Sequence, residues 1–190
     1  MARWEPNTRE RLVRAALDLF IERGYDATTV SEIADRAGLT KTTFFRHFPD
    51  KREVLFAGQD VHTRLLTEAI TAAPEDATPL RAVRAALDAL TASFRDDRRD
   101  FSARLRPVVA GHGELQERAT LKRARLADAA ADALRGRGVP GPAADLAAGL
   151  GIRAFYQAYD QWADPAERRT LTEIARHTFD ELRAAMATLD

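Results

Sequence analysis

The chain of 190 residues contains no cysteine. It therefore has no disulfide framework, no thiolate metal site and no cysteine nucleophile. No apolar run reaches the roughly 18 residues that span a membrane, and the N-terminal segment MARWEPNTRER lacks the apolar stretch of a signal peptide. From these absences we expect a soluble cytoplasmic protein without membrane partners.

Strand-like alternation of β-branched residues is also almost missing. Hydrophobic residues make up 45% of the chain and charged residues 31%, and 29 basic residues balance 29 acidic ones. Glycine and proline cluster between segments of helical periodicity. Length and composition therefore predict an all-α protein with one or two small domains and about nine helices.

The first fifty residues predict three helices with clear end signals. The first is expected to run from about Asn7, as its cap, to Arg23. Thr29 and Glu32 have the spacing of a capping box, which begins a second, short helix. A third short helix begins after Thr40 as its cap.

Longer helices are predicted in the rest of the chain. Asp50 is expected to cap the fourth, which stops before Pro74. A short apolar segment near residue 105 is expected to be interrupted by Pro107. The other predicted helices cover about residues 80–94, 114–134, 143–162 and 167–189.

Residues 28–51 have the length, the helix caps and the glycine turn of a helix-turn-helix. Two helices of two turns or fewer are joined by the sequence AGLT, in which Gly38 supplies the torsions of the turn. In this motif the second helix enters the major groove of DNA with its N-terminal residues first. Those residues are Lys41, Thr42 and Thr43, which are donors suited to base edges and phosphates.

Basic residues concentrate in the same segment. Between residues 36 and 52, five basic side chains stand against one acidic side chain, so the rest of this neutral chain carries a net charge of −4. A neutral protein can thus present a basic face to phosphate. The five basic residues are Arg36, Lys41, Arg46, Lys51 and Arg52.

The pattern T-T-V-x-x-I-A-x-x-A-G-L-T-K-x-T-F-F-x-H-F-x-x-K over residues 28–51 resembles the signature of the TetR family of bacterial transcriptional regulators. The rest of the chain resembles the family in length and helix count only. The resemblance implies a helix-turn-helix DNA-binding domain at 1–49. It also implies a larger helical domain at 50–190 that dimerises and holds a small-molecule pocket.

The resemblance also implies a role for individual positions. Thr29 matches a helix-start residue that reaches a phosphate, and His47 and Lys51 match family positions at the end of the recognition helix and the start of the next. Apart from the resemblance, we expect Thr40 to combine its cap with a phosphate contact, and Arg46 to be a solvated charge or a phosphate contact rather than a base contact. The expected DNA-contacting set is Thr29, Thr40, Lys41, Thr42, Thr43, Phe45, Arg46, His47 and Lys51.

Phe45 departs from the family pattern, which usually has tyrosine at this position. Without a phenol oxygen, we expect ring contact only, with a sugar or a thymine methyl group. The N-terminal arm with Arg3 and Trp4 has two interpretations, a minor-groove contact or a disordered terminus.

Small residues recur in the predicted helix at 143–162. Small side chains let helices approach closely, and together with the seam of the last helix they favour a symmetric four-helix interface in a homodimer. The alternative is packing within one chain. The small residues are Ala143, Ala144, Ala147, Ala148, Gly149, Gly151 and Ala154.

An effector pocket is expected where apolar and aromatic residues surround helix breaks. Ordinary core packing is the alternative for each of them. The segment SARLRPVVAGHGELQERAT also resembles family members with acyl-CoA-responsive domains, which implies a lipophilic or acyl-type effector. The predicted pocket residues are Phe101, Leu105, Val108, Val109, Phe155, Tyr156, Tyr159 and Trp162.

No catalytic constellation is present in the sequence. It has no P-loop, GxGxxG or GxSxG motif, and its histidines lack the spacing of metal ligands, so we expect no enzyme activity, cofactor or metal. The expected function is a dimeric repressor that an effector releases from a double-stranded DNA operator. Two other classes stay open, namely a helical ligand-binding or adaptor protein with a non-functional helix-turn-helix, and a helical enzyme.

Overall fold

A computed structural model describes residues 7–189 of the chain. Within this range the protein is entirely helical, which confirms the predicted all-α class. Short 3-10 helices at Arg52–Phe56 and Asp96–Arg98 supplement the α-helices. The α-helices are α1 Thr8–Arg23, α2 Val30–Arg36, α3 Lys41–His47, α4 Gln59–Thr71, α5 Pro79–Ala92, α6 Arg99–Ala110, α7 Gly113–Gly136, α8 Gly141–Trp162 and α9 Leu171–Met186.

The caps of α2 and α3 follow the sequence signals. The Thr29 hydroxyl accepts the Glu32 N–H at 3.2 Å, while the Glu32 carboxylate accepts the Thr29 N–H at 2.8 Å, which completes the predicted capping box. Thr40 accepts the Thr43 N–H at 3.1 Å at the start of α3. The predicted cap at Asn7 is wrong, because Asn7 has a left-handed backbone with φ 88° and its side chain makes no capping bond.

Three predicted helix boundaries are also wrong. The fourth helix is divided into a 3-10 turn and α4, with the poor helix former Gly58 between them. Pro107 lies inside α6, which tolerates the loss of one backbone donor. The last helix begins four residues late, because Thr170 and Glu173 form a capping box there.

The chain divides into two compact units by its contacts. The first comprises residues up to Gly58 together with 104–119, and the second comprises 59–103 and 120 onward, so α6 and α7 each contribute to both. The predicted functional division after residue 49 stays a prediction. In the first unit, apolar side chains of α1 are buried with side chains of α2, of α3 and of the residue that follows α3, namely Leu12, Ala16, Leu19, Phe20, Ile33, Phe44 and Phe48.

The core of the second unit lies among α4, α5, α7, α8 and α9. Most small residues of α8 are buried in this core, and a Cβ atom added to Gly151 would overlap Val83 of α5. The structure therefore uses much of the predicted small-residue set for packing within one chain. The buried members are Ala144, Ala147, Ala148, Gly151 and Ala154.

Candidate nucleic-acid interface

Helix α3 has one buried side and one exposed side. Phe44 and Phe48, which are four residues apart, are almost completely buried, and their ring centroids lie 5.5 Å apart. Phe44 lies within α3, and Phe48 follows the last residue of α3 with an extended backbone (φ −138°, ψ 129°). Both rings lie on the buried side, and the other side of α3 is exposed. The exposed residues of α3 are Lys41, Thr42, Phe45, Arg46 and His47.

The two threonines that begin the α3 region form a local hydrogen-bonded pair. The hydroxyl oxygens of Thr40 and Thr43 lie 2.9 Å apart, and Thr43 is half-buried. The N–H and the hydroxyl group of Thr43 therefore already contact the Thr40 hydroxyl. Lys41 and Thr42 are the more accessible members of the predicted base-facing group.

The start of α2 already holds a carboxylate. The N–H and the hydroxyl of Thr29 both donate to the same Glu32 oxygen at 2.8 Å, and Arg23 donates to the other oxygen at 3.0 Å. The N–H of Thr29, followed by its hydroxyl, lowers the pKa of the Glu32 carboxyl. A DNA phosphate at this helix start would have to compete with Glu32 for the donors of Thr29.

Lys51 is directed toward the loop between α1 and α2. Its Nζ donates to the carbonyl oxygens of Tyr25 at 2.7 Å and Thr28 at 3.0 Å, and it lies 4.0 Å from the centroid of the Tyr25 ring. An ammonium group has three donors, so one remains for a phosphate. The structure thus gives Lys51 a role in fixing the loop that precedes Thr29, which the sequence did not indicate.

Ion pairs reduce the positive charge that the sequence count suggested. Arg36 donates two hydrogen bonds to Glu22, at 2.8 and 3.0 Å, and this contact with Arg36 is the largest cause of the lowered pKa of Glu22. A second pair joins Arg52 to Asp50 at 2.9 Å. On α3, no described residue forms an ion pair with either of the two exposed cations, Lys41 and Arg46.

Gly38 permits a close approach within the turn between α2 and α3. Its φ is +65°, and a Cβ atom at this position would lie 2.9 Å from a guanidinium nitrogen of Arg11. That guanidinium donates to the carbonyl oxygen of Ala37 at the end of α2. The turn therefore favours glycine for its torsions, and a larger residue would also displace the end of the Arg11 side chain.

The turn between α6 and α7 belongs to the same unit, which the sequence did not predict. The Tyr25 hydroxyl donates to Glu114 at 3.2 Å, and the Tyr25 ring lies 5.4 Å from the His112 ring. Burial, followed by the charge of Glu114, raises the pKa of Tyr25. An ion pair between Arg118 and Glu53 adds a further link within this unit.

The predicted pocket residues are divided between the two units. Leu105, Val108 and Val109 belong to the first unit, whereas Phe101 and the residues of α8 belong to the second. A surface depression of about 170 Å³ near the start of α5 contains none of them. The pocket therefore stays a prediction.

Four aromatic residues of the second unit cluster around Phe94, a residue outside the predicted pocket set. The Phe94 centroid lies 4.8 Å from His62 and 5.7–6.2 Å from Phe155, Tyr159 and Trp162. Burial lowers the pKa of His62 to about 4. The sequence placed Phe94 only at the end of the predicted helix at 80–94.

Two polar groups lie at the edge of this cluster. The Tyr159 hydroxyl donates to the Ser102 hydroxyl at 2.7 Å. The Trp162 indole N–H is fully buried, and no described residue accepts its hydrogen bond. Since an unsatisfied buried donor is costly, Trp162 is a candidate to donate to a ligand.

Comparison with known proteins gives one family match at the N-terminal part of the chain. Residues 12–57 match the family of bacterial regulatory proteins described as the tetR family. The transcriptional regulator TcmR of Streptomyces glaucescens is 37% identical over 89 residues, which cover 47% of this chain. The matched part spans only 39% of the length of TcmR.

Solved structures share the fold over nearly the whole chain. SmeT of Stenotrophomonas maltophilia, in complex with triclosan, gives a TM-score of 0.58 at 24% identity and covers 95% of this chain and 91% of SmeT. The repressor FadR of Thermus thermophilus, in complex with lauroyl-CoA, gives 0.53 at 24% identity and covers 92% and 93%. At these identities the similarity establishes the fold. No helix among the described residues is long and apolar enough to cross a membrane.

Proposed function

We propose that this chain is a member of the TetR family of bacterial regulatory proteins and acts as a dimeric DNA-binding repressor that a small-molecule effector releases from its operator. The observation that carries the proposal is the two-sided structure of α3. Phe44 and Phe48 anchor its inner side, while Lys41, Thr42 and Arg46 occupy its outer side. Among the proteins it matches, TcmR is a transcriptional regulator and FadR a transcriptional repressor.

In the proposed complex, α3 enters the major groove with Lys41 and Thr42 nearest the base edges. Arg46 and the remaining donor of Lys51 contact phosphates. Residues 1–49 read DNA, and residues 50–190 bind the effector and the second copy. Two α3 helices about 34–36 Å apart would occupy successive major grooves of an inverted repeat.

The exposed side of α8 supports the proposed dimer. Leu146 is 65% exposed, and beside it Gly149 has open space at its Cβ position. Met186 and Leu189, at the C-terminal end of α9 and just beyond it, are also exposed. A second copy would cover these apolar groups in a symmetric interface of α8 and α9.

The aromatic cluster around Phe94 supports a lipophilic effector. The effector would displace apolar contacts there and accept the indole N–H of Trp162. The complexes of SmeT with triclosan and of FadR with lauroyl-CoA are compatible with this class. A thousandfold release from DNA requires about 4 kcal/mol of differential affinity between the two states.

An adaptor protein with a non-functional helix-turn-helix is the second candidate function. Two observations favour this function: Phe45 lacks a hydroxyl group, and Glu32 occupies the donors of Thr29. Both features weaken phosphate contacts, but neither blocks the outer side of α3, so DNA binding remains the better supported function.

Selection from a random DNA library with the full chain tests the proposal. We expect an enriched inverted repeat that binds at least about a thousandfold more tightly than its shuffled sequence at physiological salt. The double variant Lys41→Ala/Arg46→Ala, with unchanged thermal stability, is the matched control and should lose this preference. If the wild-type chain enriches no motif, the adaptor function replaces the proposed one.

A further inference from the structure

We propose that Phe45 is a specificity-determining residue whose ring contacts the C5-methyl group of a thymine in each half of the operator. This inference rests on the proposed function, since it assigns one base contact within the same interface. The exposed ring is unfavourable in water, and its contact with the methyl group would favour operators that have thymine at this position.

The exposure of Phe45 is unusual for its residue type. About half of the side chain (49%) is accessible. The other large hydrophobic residues exposed in the described range are aliphatic, so Phe45 is the only aromatic residue among them. Exposed apolar surface on a polar helix face marks a contact site, and in this motif the contact is with DNA.

The ring of Phe45 cannot be accommodated on the inner side of α3. Phe44 and Phe48 already fill that side, and both are almost completely buried. The Phe45 ring lies with its edge against Phe44, at a centroid distance of 5.6 Å and an interplanar angle of 82°. The ring thus packs against Phe44 at one edge, while about half of the side chain stays accessible.

Phe45 shares its helix face with the predicted base contacts. It follows Lys41 by four residues and Thr42 by three, and these spacings bring side chains together on a helix. The thymine methyl is the one apolar group at base edges in the major groove. A ring without a hydroxyl cannot donate to a phosphate, so the apolar contact is the specific interaction available to it.

Replacing thymine by uracil removes only this methyl group. The burial of one methyl group corresponds to about a fourfold change in affinity. Loss of the symmetric pair of methyl groups should therefore weaken binding about fifteenfold.

The experiment uses the operator selected by the wild-type chain, with symmetric thymine pairs replaced one pair at a time by uracil. Fluorescence anisotropy measures each dissociation constant. With the wild type, one pair should show the fifteenfold loss. Phe45→Ala should bind the thymine operator about fifteenfold more weakly and show no further loss at that pair, whereas Phe45→Tyr should keep the methyl dependence.

Ile21→Ala is the matched control, because Ile21 is 48% exposed in the same unit but lies on α1. It should bind both operators as the wild type does. If no thymine pair depends on its methyl groups, or if Phe45→Ala keeps that dependence, the inference is overturned while the regulator function stands. If the wild type selects no site, the proposed function fails and the inference fails with it.

Discussion

The ammonium group of Lys51 donates a hydrogen bond of 2.7 Å to the carbonyl oxygen of Tyr25 and lies 4.0 Å above the ring of the same residue. Together with its bond to Thr28, this contact fixes the loop between α1 and α2. Lys51, which the family resemblance places in the expected DNA-contacting set, thus also contributes contacts within the first unit. Mutants can separate the two roles of Lys51. The free energy of unfolding reports its contacts with the loop, and the salt dependence of DNA binding reports a phosphate contact.

Lys51→Ala should lower the free energy of unfolding by about 2 kcal/mol, since it removes two hydrogen bonds from a charged donor to carbonyl groups. Urea denaturation measures this change. An unchanged free energy of unfolding would show that the contacts with the loop contribute nothing to stability.

Lys41→Ala is the counterpart of that variant, because Lys41 is exposed and no described residue forms an ion pair with it. Its free energy of unfolding should equal that of the wild type. In the proposed complex Lys41 lies nearest the base edges, so its loss should reduce the preference for the selected operator over a shuffled sequence about tenfold, which competition binding measures. An unaltered preference would exclude Lys41 from the base contacts.

Gly38→Ala should lower the free energy of unfolding by about 2 kcal/mol or more, because alanine is strained at positive φ and its Cβ atom would displace Arg11 from the end of α2. Thermal or urea denaturation measures it. Gly136→Ala is the control, since a Cβ atom there meets no neighbour. Equal stability of the two variants would contradict the proposed need for glycine in the turn.

Leu146→Glu should dissociate the proposed dimer, because it places a charge on the exposed apolar side of α8. Analytical ultracentrifugation would then detect a monomer with unchanged helical content. Leu121→Glu is the matched control, since Leu121 is also an exposed leucine, on α7, and this variant should stay dimeric. If the Leu146→Glu variant remained a dimer, the interface would have to lie elsewhere.

His62 should make the stability of the protein depend on pH. Its pKa is lowered from 6.5 to about 4, mainly by burial and further by Arg98. Between these values the unfolded chain binds a proton that the folded chain does not, so stability is complete above pH 6.5 and falls toward pH 4. The loss should reach about 3 kcal/mol.

Urea denaturation at pH 7.0 and 4.5 tests this dependence. His62→Phe should remove most of it, whereas His177→Gln, at an exposed position on α9, should retain it. The same pH dependence in all three proteins would mean that other groups cause it.

Local signals predicted the first short helices. The Thr29 capping box depends on residues three apart, so one sequence suffices to recognise it. Thr170 and Glu173 have the same spacing, so the start of α9 could also have been predicted from the sequence.

Contacts between distant residues were not predictable in this way. Lys51 reaches carbonyl groups more than twenty residues earlier, and Glu22 neutralises Arg36 across two helices. Periodicity indicates which face of a helix is buried but not which side chain it meets. The net charge of the segment therefore overstated the cations that face outward, and the cluster around Phe94 was missed.

Dimethyl sulfate footprinting on the selected operator tests the central claim most directly, because the reagent methylates guanine N7 in the major groove and adenine N3 in the minor groove. If two copies of α3 read successive major grooves, the protein should protect guanine N7 in two clusters about 10–10.5 base pairs apart and leave adenine N3 reactive between them. Protection of adenine N3 with guanine N7 still reactive, or a single protected cluster, would contradict it.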